Sequence, residues 1–483
     1  MNNEVKELTP RLLWKHFSNL CMVPRPSKKE LGAVEFVKNF AIEMGLEYTV
    51  DHVNNIIIRK PATPGMENRP GVILQAHLDM VPQKNNDVRH DFEKDPISAY
   101  VDGDWVKARG TTLGADNGIG VAAAMAVLES KEIKHGPLEA LFTIDEEAGM
   151  TGAHELKPGL LNGSVFLNLD SEEEGELYIG CAGGINATVS IPYSTEPTGK
   201  SGSGFRVSLT GLKGGHSGLD INLGRGNANK LLNRFLWNAS RQYGLKVASI
   251  DGGNMRNAIP REATADVVIP SGKEEVFLKD LATYLDTIRT ELFGVETETA
   301  LEAVPTGLPA TVMSQSSQKT ILDVIYALPN GAMRMIADKP EVVETSTNLA
   351  IVKSDGKNVN IACLLRSSVD SAKEDLCRAM AALYELAGCK IELSGSYPGW
   401  RPNFDSAILK TMKDVYLRLY NREPEVKVIH AGLECAIFGE SYPGMDYISF
   451  GPTIMHPHSP GEKVNIPSVG KFWDFLLETL KSV

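Results

Sequence analysis

The stretch GVILQAHLDM, residues 71–80, decides the fold. Its apolar run reads as a β-strand, and His77 and Asp79 stand just past the strand's C-terminal end. Working outward, NNIIIRK (54–60), LEALFTID (138–145) and VFLNLD (165–170) read the same way. Residues 11–20 and 28–44 read as helices, the second from the spacing of Leu31, Val34, Phe36, Val37 and Phe40. An Ala-rich helix, roughly 118–130, opens with GADNGIG. Strands alternating with helices predict an α/β domain whose mixed sheet is mostly parallel and flanked by helices.

Composition shifts twice along the chain. Residues 194–204, STEPTGKSGSG, are polar and small and read as a linker. FRVSLTGL then begins a second strand–helix series, and SGSYPGWRPN (394–403) reads as a second crossing point. The tail offers a strand, MDYISFG (445–451), and a final helix over 467–480. The expectation is a discontinuous catalytic domain, residues 1–195 and 398–483, with an inserted α+β lid domain over 196–397.

The length of 483 residues suits two or three domains. A net charge of -12 with both signs abundant argues against nucleic acid, whose phosphates demand a concentrated basic surface. No apolar run approaches the roughly 18 residues of a spanning helix, so no membrane is expected. The N-terminal residues MNNEVKELTPRLLWKHF lack a signal-peptide core. Six scattered cysteines without CxxC read as reduced structural thiols, and the expected compartment is the cytoplasm. Matches to the glycosylation pattern at Asn162 and Asn238 carry no weight without a secretion signal.

Imidazole and carboxylate groups cluster at strand ends. His77 and Asp79 follow one strand, Asp145, Glu146 and Glu147 another, and Asp170 a third, while Asp116 lies in the turn before a helix. Ligands of open α/β sheets bind outside the carboxyl ends of the strands. Carboxylates crowded there would repel and take up protons unless cations neutralised them. A mixed imidazole–carboxylate set suits zinc or a similar transition metal better than calcium.

These residues belong to a longer series: QAHLDMVP (75–82), GTTLGADNGIG (110–120), DEEAGMTGA (145–153), LNLDSEEEGELYIGCAGG (167–184), GLKGGHSG (211–218) and MHPHSPGE (455–462). In this order they resemble the di-zinc aminopeptidase and carboxypeptidase family, which includes dipeptidases, tripeptidases and amidohydrolases. GADNGIG, HPHSPGE and the long insertion look most like the carnosinase-like branch that cleaves Xaa-His dipeptides. The resemblance implies two divalent ions, Zn2+ by default with Co2+ or Mn2+ as alternatives, and a small peptide substrate. It implies Asp116 as the bridging ligand, His77 and Asp170 on one metal, and Glu147 and His458 on the other. Glu146 would be the general base acting on a water shared by the metals, and Asp79 would orient His77. His216 would add a hydrogen bond to the oxyanion, from its own subunit or a partner's. Asn257 and Arg366 would hold the substrate's carboxylate, and Gly432 and Glu434 would shape the pocket. A cis peptide after Asp116 and a homodimer through the inserted domain are also implied. This chain has Asp116-Asn117 where many relatives have Asp-Asp, which leaves the bridging ligand in place.

The remaining candidates take plainer readings. His456 is structural, the acidic run SEEEGE (171–176) a solvated loop, and His430 stays open. A tripeptidase, carboxypeptidase or N-acyl amino acid deacylase would share the metal residues. A non-catalytic binding protein would be expected to have lost a ligand or the base, and none is lost here.

Overall fold

The computed structural model describes residues 3–337 and 339–483. Two compact units divide them: one comprises the chain up to Gly180, Trp400–Val428 and Leu433–Val483, the other Cys181–Gly399 and Ile429–Gly432.

The first unit is built on an eight-stranded sheet. From one edge its strands are Glu47–Val50, Ile56–Lys60, Leu138–Thr143, Val72–His77, Val165–Asn168, Asp446–Ser449, Glu176–Cys181 and Glu425–Ile429. Parallel pairing is concentrated at its centre, where Val72–His77 lies between Leu138–Thr143 and Val165–Asn168, and Asp446–Ser449 follows. Antiparallel pairs flank this core. Successive side chains point to opposite faces. Ile56, Ile58, Val72, Leu74 and Ala76 join one apolar cluster with the helices Arg11–Leu20, Leu31–Met44, Ala115–Glu129, Ala407–Tyr420 and Ile466–Ser482. Ile57, Ile73, Leu141 and Phe166 join a second with Cys435, Ile437 and Phe438 of the helix Glu434–Ser441. Both faces are covered, so the central strands carry apolar residues without alternation. The helix Ala115–Glu129 is buried from Ala115 to Leu128, and its small side chains make that possible.

The second unit holds a nine-stranded sheet whose strands pair antiparallel. The helices Ala228–Tyr243, Glu274–Glu291, Gln315–Ala327 and Asp370–Leu386 contribute to one core with it. Two expected boundaries are corrected. Gly183–Pro192 pairs along its length with Asn358–Ser367, so the division falls at Gly180/Cys181 and not at 195/196. The stretch read as a linker contains the strand Thr195–Pro197, paired with Thr311–Met313. Its composition is polar because the strand is short and its pattern largely exposed. Ile429–Gly432 also leaves the C-terminal segment for the second unit, where Ala182 N–H donates to Ile429 O at 3.0 Å. The return crossing falls at Gly399/Trp400, inside the predicted SGSYPGWRPN.

Candidate metal centre and active site

Parallel register brings the chemistry together. His77 pairs with Thr143 and Gln75 with Asn168, so the chain segments following these strands emerge side by side. One supplies Asp79, the next Glu146 and Glu147, the third Asp170. Asp116 comes from the turn that opens the buried helix, and the Asp116–Asn117 peptide is cis, as expected. His458 arrives from the loop after Ile454–Met455.

Asp116 lies at the middle of the cluster. Its Oδ1 is 3.1 Å from His77 Nε2 and its Oδ2 is 3.2 Å from His458 Nε2. His77 Nε2 is also 3.3 Å from Asp170 Oδ1, and His458 Nε2 is 2.9 Å from Glu147 Oε2. Two ligand-type triads therefore share Asp116: His77–Asp116–Asp170 and Asp116–Glu147–His458, each with donor atoms within 4.8 Å of one another. His77, Glu146 and Glu147 form a further group of the same kind. Asp170 Oδ1 and Glu147 Oε1 are buried without a hydrogen-bond partner. Buried carboxylate oxygens are rarely left so, and a cation would satisfy both. The donor set of two imidazoles and three carboxylates fits a pair of zinc-like ions.

Electrostatics agree with that fit. Burial disfavours a charged His77 ring, yet Asp170, Asp116 and Asp79 outweigh it and hold its pKa well above the ordinary value. Hydrogen bonds to Asp116 and Glu147 push His458 up to about 11. Burial raises Asp170 to about 6 and lifts Glu147 as well. Burial also raises Glu146 well above its ordinary range, with Asp170, Glu434 and Glu147 adding to the shift against His77. The crowded carboxylates and rings thus favour proton uptake, a conflict that bound cations would relieve.

Asp79 does more than face His77. The ring's Nδ1 lies 3.4 Å from Asp79 Oδ1 and 3.2 Å from its carbonyl oxygen. The carboxylate also accepts the N–H of Glu146 at 3.0 Å, the N–H of Glu147 at 3.2 Å and the Ser27 hydroxyl at 2.8 Å. One buried side chain thus locates both the imidazole and the turn bearing the two glutamates.

Two further carboxylates lie inward at the site. Glu434 is buried, accepting from Gln75 Nε2 at 2.6 Å and Thr143 Oγ1 at 2.9 Å, and burial raises it to about 8. It supports the strands that end at the site. The acidic run is not a plain solvated loop. Glu172 is half-buried, and burial with the Asp116 and Asp170 charges pushes it up to about 9. Arg25 and Glu462, neither singled out from sequence, both grip the Asp116 turn. Glu462 closes the MHPHSPGE motif, a signal that could have flagged it. Arg25 offers none.

His216, Asn257, Arg366 and Gly432 belong to the second unit. His216 pairs with Ala258 in a two-residue bridge, and Ser217 N–H donates to the Asn257 carbonyl at 2.8 Å. His216 Nδ1 accepts from the N–H of Gly218 at 3.2 Å and of Leu219 at 3.0 Å. That leaves Nε2 as the ring's N–H donor. Burial and the Arg366 charge lower His216 to about 4, so the ring is neutral at pH 7. Gly218 is required by close approach, because a Cβ there would lie 1.9 Å from the His430 carbonyl. Arg366 is buried on its strand, its Nη1 donating to Tyr397 Oη at 3.0 Å while its Nε has no partner. His430, left open by the sequence, is buried with Nε2 2.7 Å from Ser346 Oγ. His456 is exposed and joins none of the ligand triads.

A mixed sheet carrying two carboxylate–imidazole triads that share one aspartate fits a metal-dependent hydrolase. Residues 73–482 match the family model Peptidase family M20/M25/M40, and the chain belongs to that family. It is 47% identical over 481 residues to the cytosol non-specific dipeptidase of Escherichia coli (strain K12), covering 100% of this chain and 99% of that one. The crystal structure of aminoacylhistidine dipeptidase from Vibrio alginolyticus superposes with a TM-score of 0.94 at 47% identity, covering 100% and 98%. Aminopeptidase PepT from Bacillus cereus shares the fold at a TM-score of 0.57 and 14% identity, over 98% and 99%. No helix among the described residues is long and apolar enough to cross a membrane.

Proposed function

We propose that this chain is a cytoplasmic dipeptidase that hydrolyses the single peptide bond of dipeptides, preferentially Xaa-His, at a centre holding two divalent cations. The observation that carries the reading is the Asp116 carboxylate, whose two oxygens face His77 and His458 separately. His77, Asp116 and Asp170 would hold one ion, and Asp116, Glu147 and His458 the other. Zinc fits the donors, and Co2+ or Mn2+ would fit them too. When bound, the ions would supply Lewis acidity toward a water and toward the scissile carbonyl.

The chain's own residues do the rest. Glu146 takes a proton from the attacking water and returns it to the leaving amine. Asp79 fixes the Glu146 backbone, so the base is placed by the same carboxylate that faces His77. His216, of its own subunit or a partner's, is assigned the hydrogen bond to the oxyanion; its Nδ1 is committed to backbone N–H groups, which leaves an Nε2–H to donate. Arg366 keeps an unpartnered buried Nε, which suits the terminal carboxylate of a short peptide. Asn257 and Gly432 are assigned to the same substrate end. The burial of all six cysteines suits a reducing compartment. The assembly proposed is a homodimer through the second unit, and sedimentation showing only monomer at micromolar concentration would reject it.

The two relatives at 47% identity are both named as dipeptidases, and their names differ over histidine. The test is hydrolysis of Ala-His, β-Ala-His, Ala-Leu, Ala-Ala-Ala and an N-acetyl amino acid by metal-depleted protein, with and without Zn2+. The expected outcome is Zn2+-dependent cleavage of the dipeptides, fastest on Xaa-His. Glu146→Ala should lower kcat by at least about 10²-fold while still binding Zn2+. Cleavage confined to the tripeptide or the acetylated substrate would overturn the substrate assignment.

A further inference from the structure

The turn that presents Asp116 is gripped from two sides by buried charges outside both ligand triads. Glu462, 2% exposed, accepts four consecutive backbone N–H groups. Its Oε2 takes those of Leu113 at 2.7 Å and Gly114 at 2.9 Å, and its Oε1 takes those of Ala115 at 2.7 Å and Asp116 at 3.2 Å. Arg25, also 2% exposed, supplies donors to the carbonyls. Its Nη2 reaches Gly114 O at 2.5 Å, and its Nη1 reaches Leu78 O at 2.9 Å and Asp79 O at 2.8 Å. The guanidinium thus ties the Asp116 turn to the segment that follows His77. The sequence makes room for it, since a Cβ at Gly114 or Gly118 would lie 2.6 or 2.7 Å from Arg25 Nη2.

We infer that Arg25 and Glu462 are positioning residues that clamp the Asp116 turn and keep its carboxylate divided between the His77 and His458 sides. The inference rests on the metal-centre reading above. Neither side chain is placed on a metal or on substrate. Glu462 holds four consecutive peptide N–H groups, which fixes the direction in which the Asp116 side chain leaves the backbone. Arg25 fixes the distance between that turn and the His77 strand end. Buried charges are retained only where their hydrogen bonds are complete, and here those bonds converge on the residue both triads share.

The test compares Glu462→Gln with Glu139→Gln. Glu139 is a control of the same chemistry, a buried carboxylate accepting the N–H of Asn162 at 2.7 Å and of Gly163 at 2.8 Å. It sits near the start of Leu138–Thr143, away from the end that faces the site. Zn2+ affinity by calorimetry, the visible absorption of the Co2+-loaded protein, kcat and KM on Ala-His, and Tm are measured for each. Glu462→Gln should weaken Zn2+ binding by ~10–100-fold, alter the Co2+ spectrum and lower kcat more than it raises KM. Glu139→Gln should lower Tm alone. If Glu462→Gln does not fold, Gly118→Ala carries the test, since it displaces the guanidinium without removing a charge, and its expected signature is the same. Wild-type Zn2+ affinity and Co2+ spectrum in the folded variant, with only Tm reduced, would overturn the clamp. Wild-type protein that binds fewer than two Zn2+ would instead overturn the metal-centre reading itself.

Discussion

At the scale of single residues, the centre trades protons for cations. His77 and His458 both carry raised pKa values, His458 up to about 11, because carboxylates surround them. At pH 8 the metal-free protein therefore holds the His458 ring protonated, and the raised His77 pKa favours protons in the same direction. A cation must displace those protons, so binding releases them and apparent affinity rises with pH. Calorimetric titration of Zn2+ at pH 8 in buffers of different ionisation enthalpy should show net proton release, and His458→Ala should release fewer protons per site. Equal heats in all buffers after correction for Zn2+–buffer binding would contradict this account. His77, Asp116, Glu147 and Asp170 were legible because each lies beside a strand end or turn that the local pattern marks, whereas His458 was reached only through the resemblance of MHPHSPGE to the family motif. Arg25 was not, because its partners are backbone carbonyls far along the chain.

At the scale of elements, the sheet's two covered faces do different jobs. The face shared with Ala115–Glu129 delivers Asp116, and the face shared with Glu434–Ser441 supports the strand ends through Glu434. Phe166 anchors the second face, its ring 5.1 Å from that of Phe438 and 5.0 Å from that of Tyr447. Phe166→Ala should cost about 3–5 kcal/mol in denaturant unfolding. The strand it belongs to precedes Asp170, so Zn2+ affinity should fall with it. Strand positions were readable from short apolar runs, and the helices from their spacing. The long pairing of Gly183–Pro192 was not, because its partner Asn358–Ser367 is distant in sequence and no local signal joins them.

For the molecule as a whole, buried histidines with lowered pKa values contribute to the loss of stability in acid. Burial, with Arg366 and His216, lowers His430 to about 3, and burial lowers His16 and His135 as well. A depressed folded pKa means the unfolded chain binds the proton first. The stability from His430 is complete above the unfolded value near 6.5 and is lost progressively as pH falls from there toward about 3. His430→Asn should flatten the dependence of unfolding free energy on pH between 6.5 and 4, measured by urea denaturation of the Zn2+-loaded protein. An unchanged slope would show that His430 is not among the groups responsible.

The sequence alone determined the class of chemistry and the α/β core, since strand-forming runs, turn residues and metal-ligand types are local properties of the chain. It also carried the order of motifs that marks the family. Tertiary structure decided the rest. It divided the Asp116 carboxylate between two histidines, buried Glu434 against Gln75 and Thr143, turned Glu172 partly inward, and moved the unit boundary to Gly180/Cys181. Each of these depends on which distant segments meet, and hydrogen bonding and burial at such meetings leave no periodic trace in the sequence.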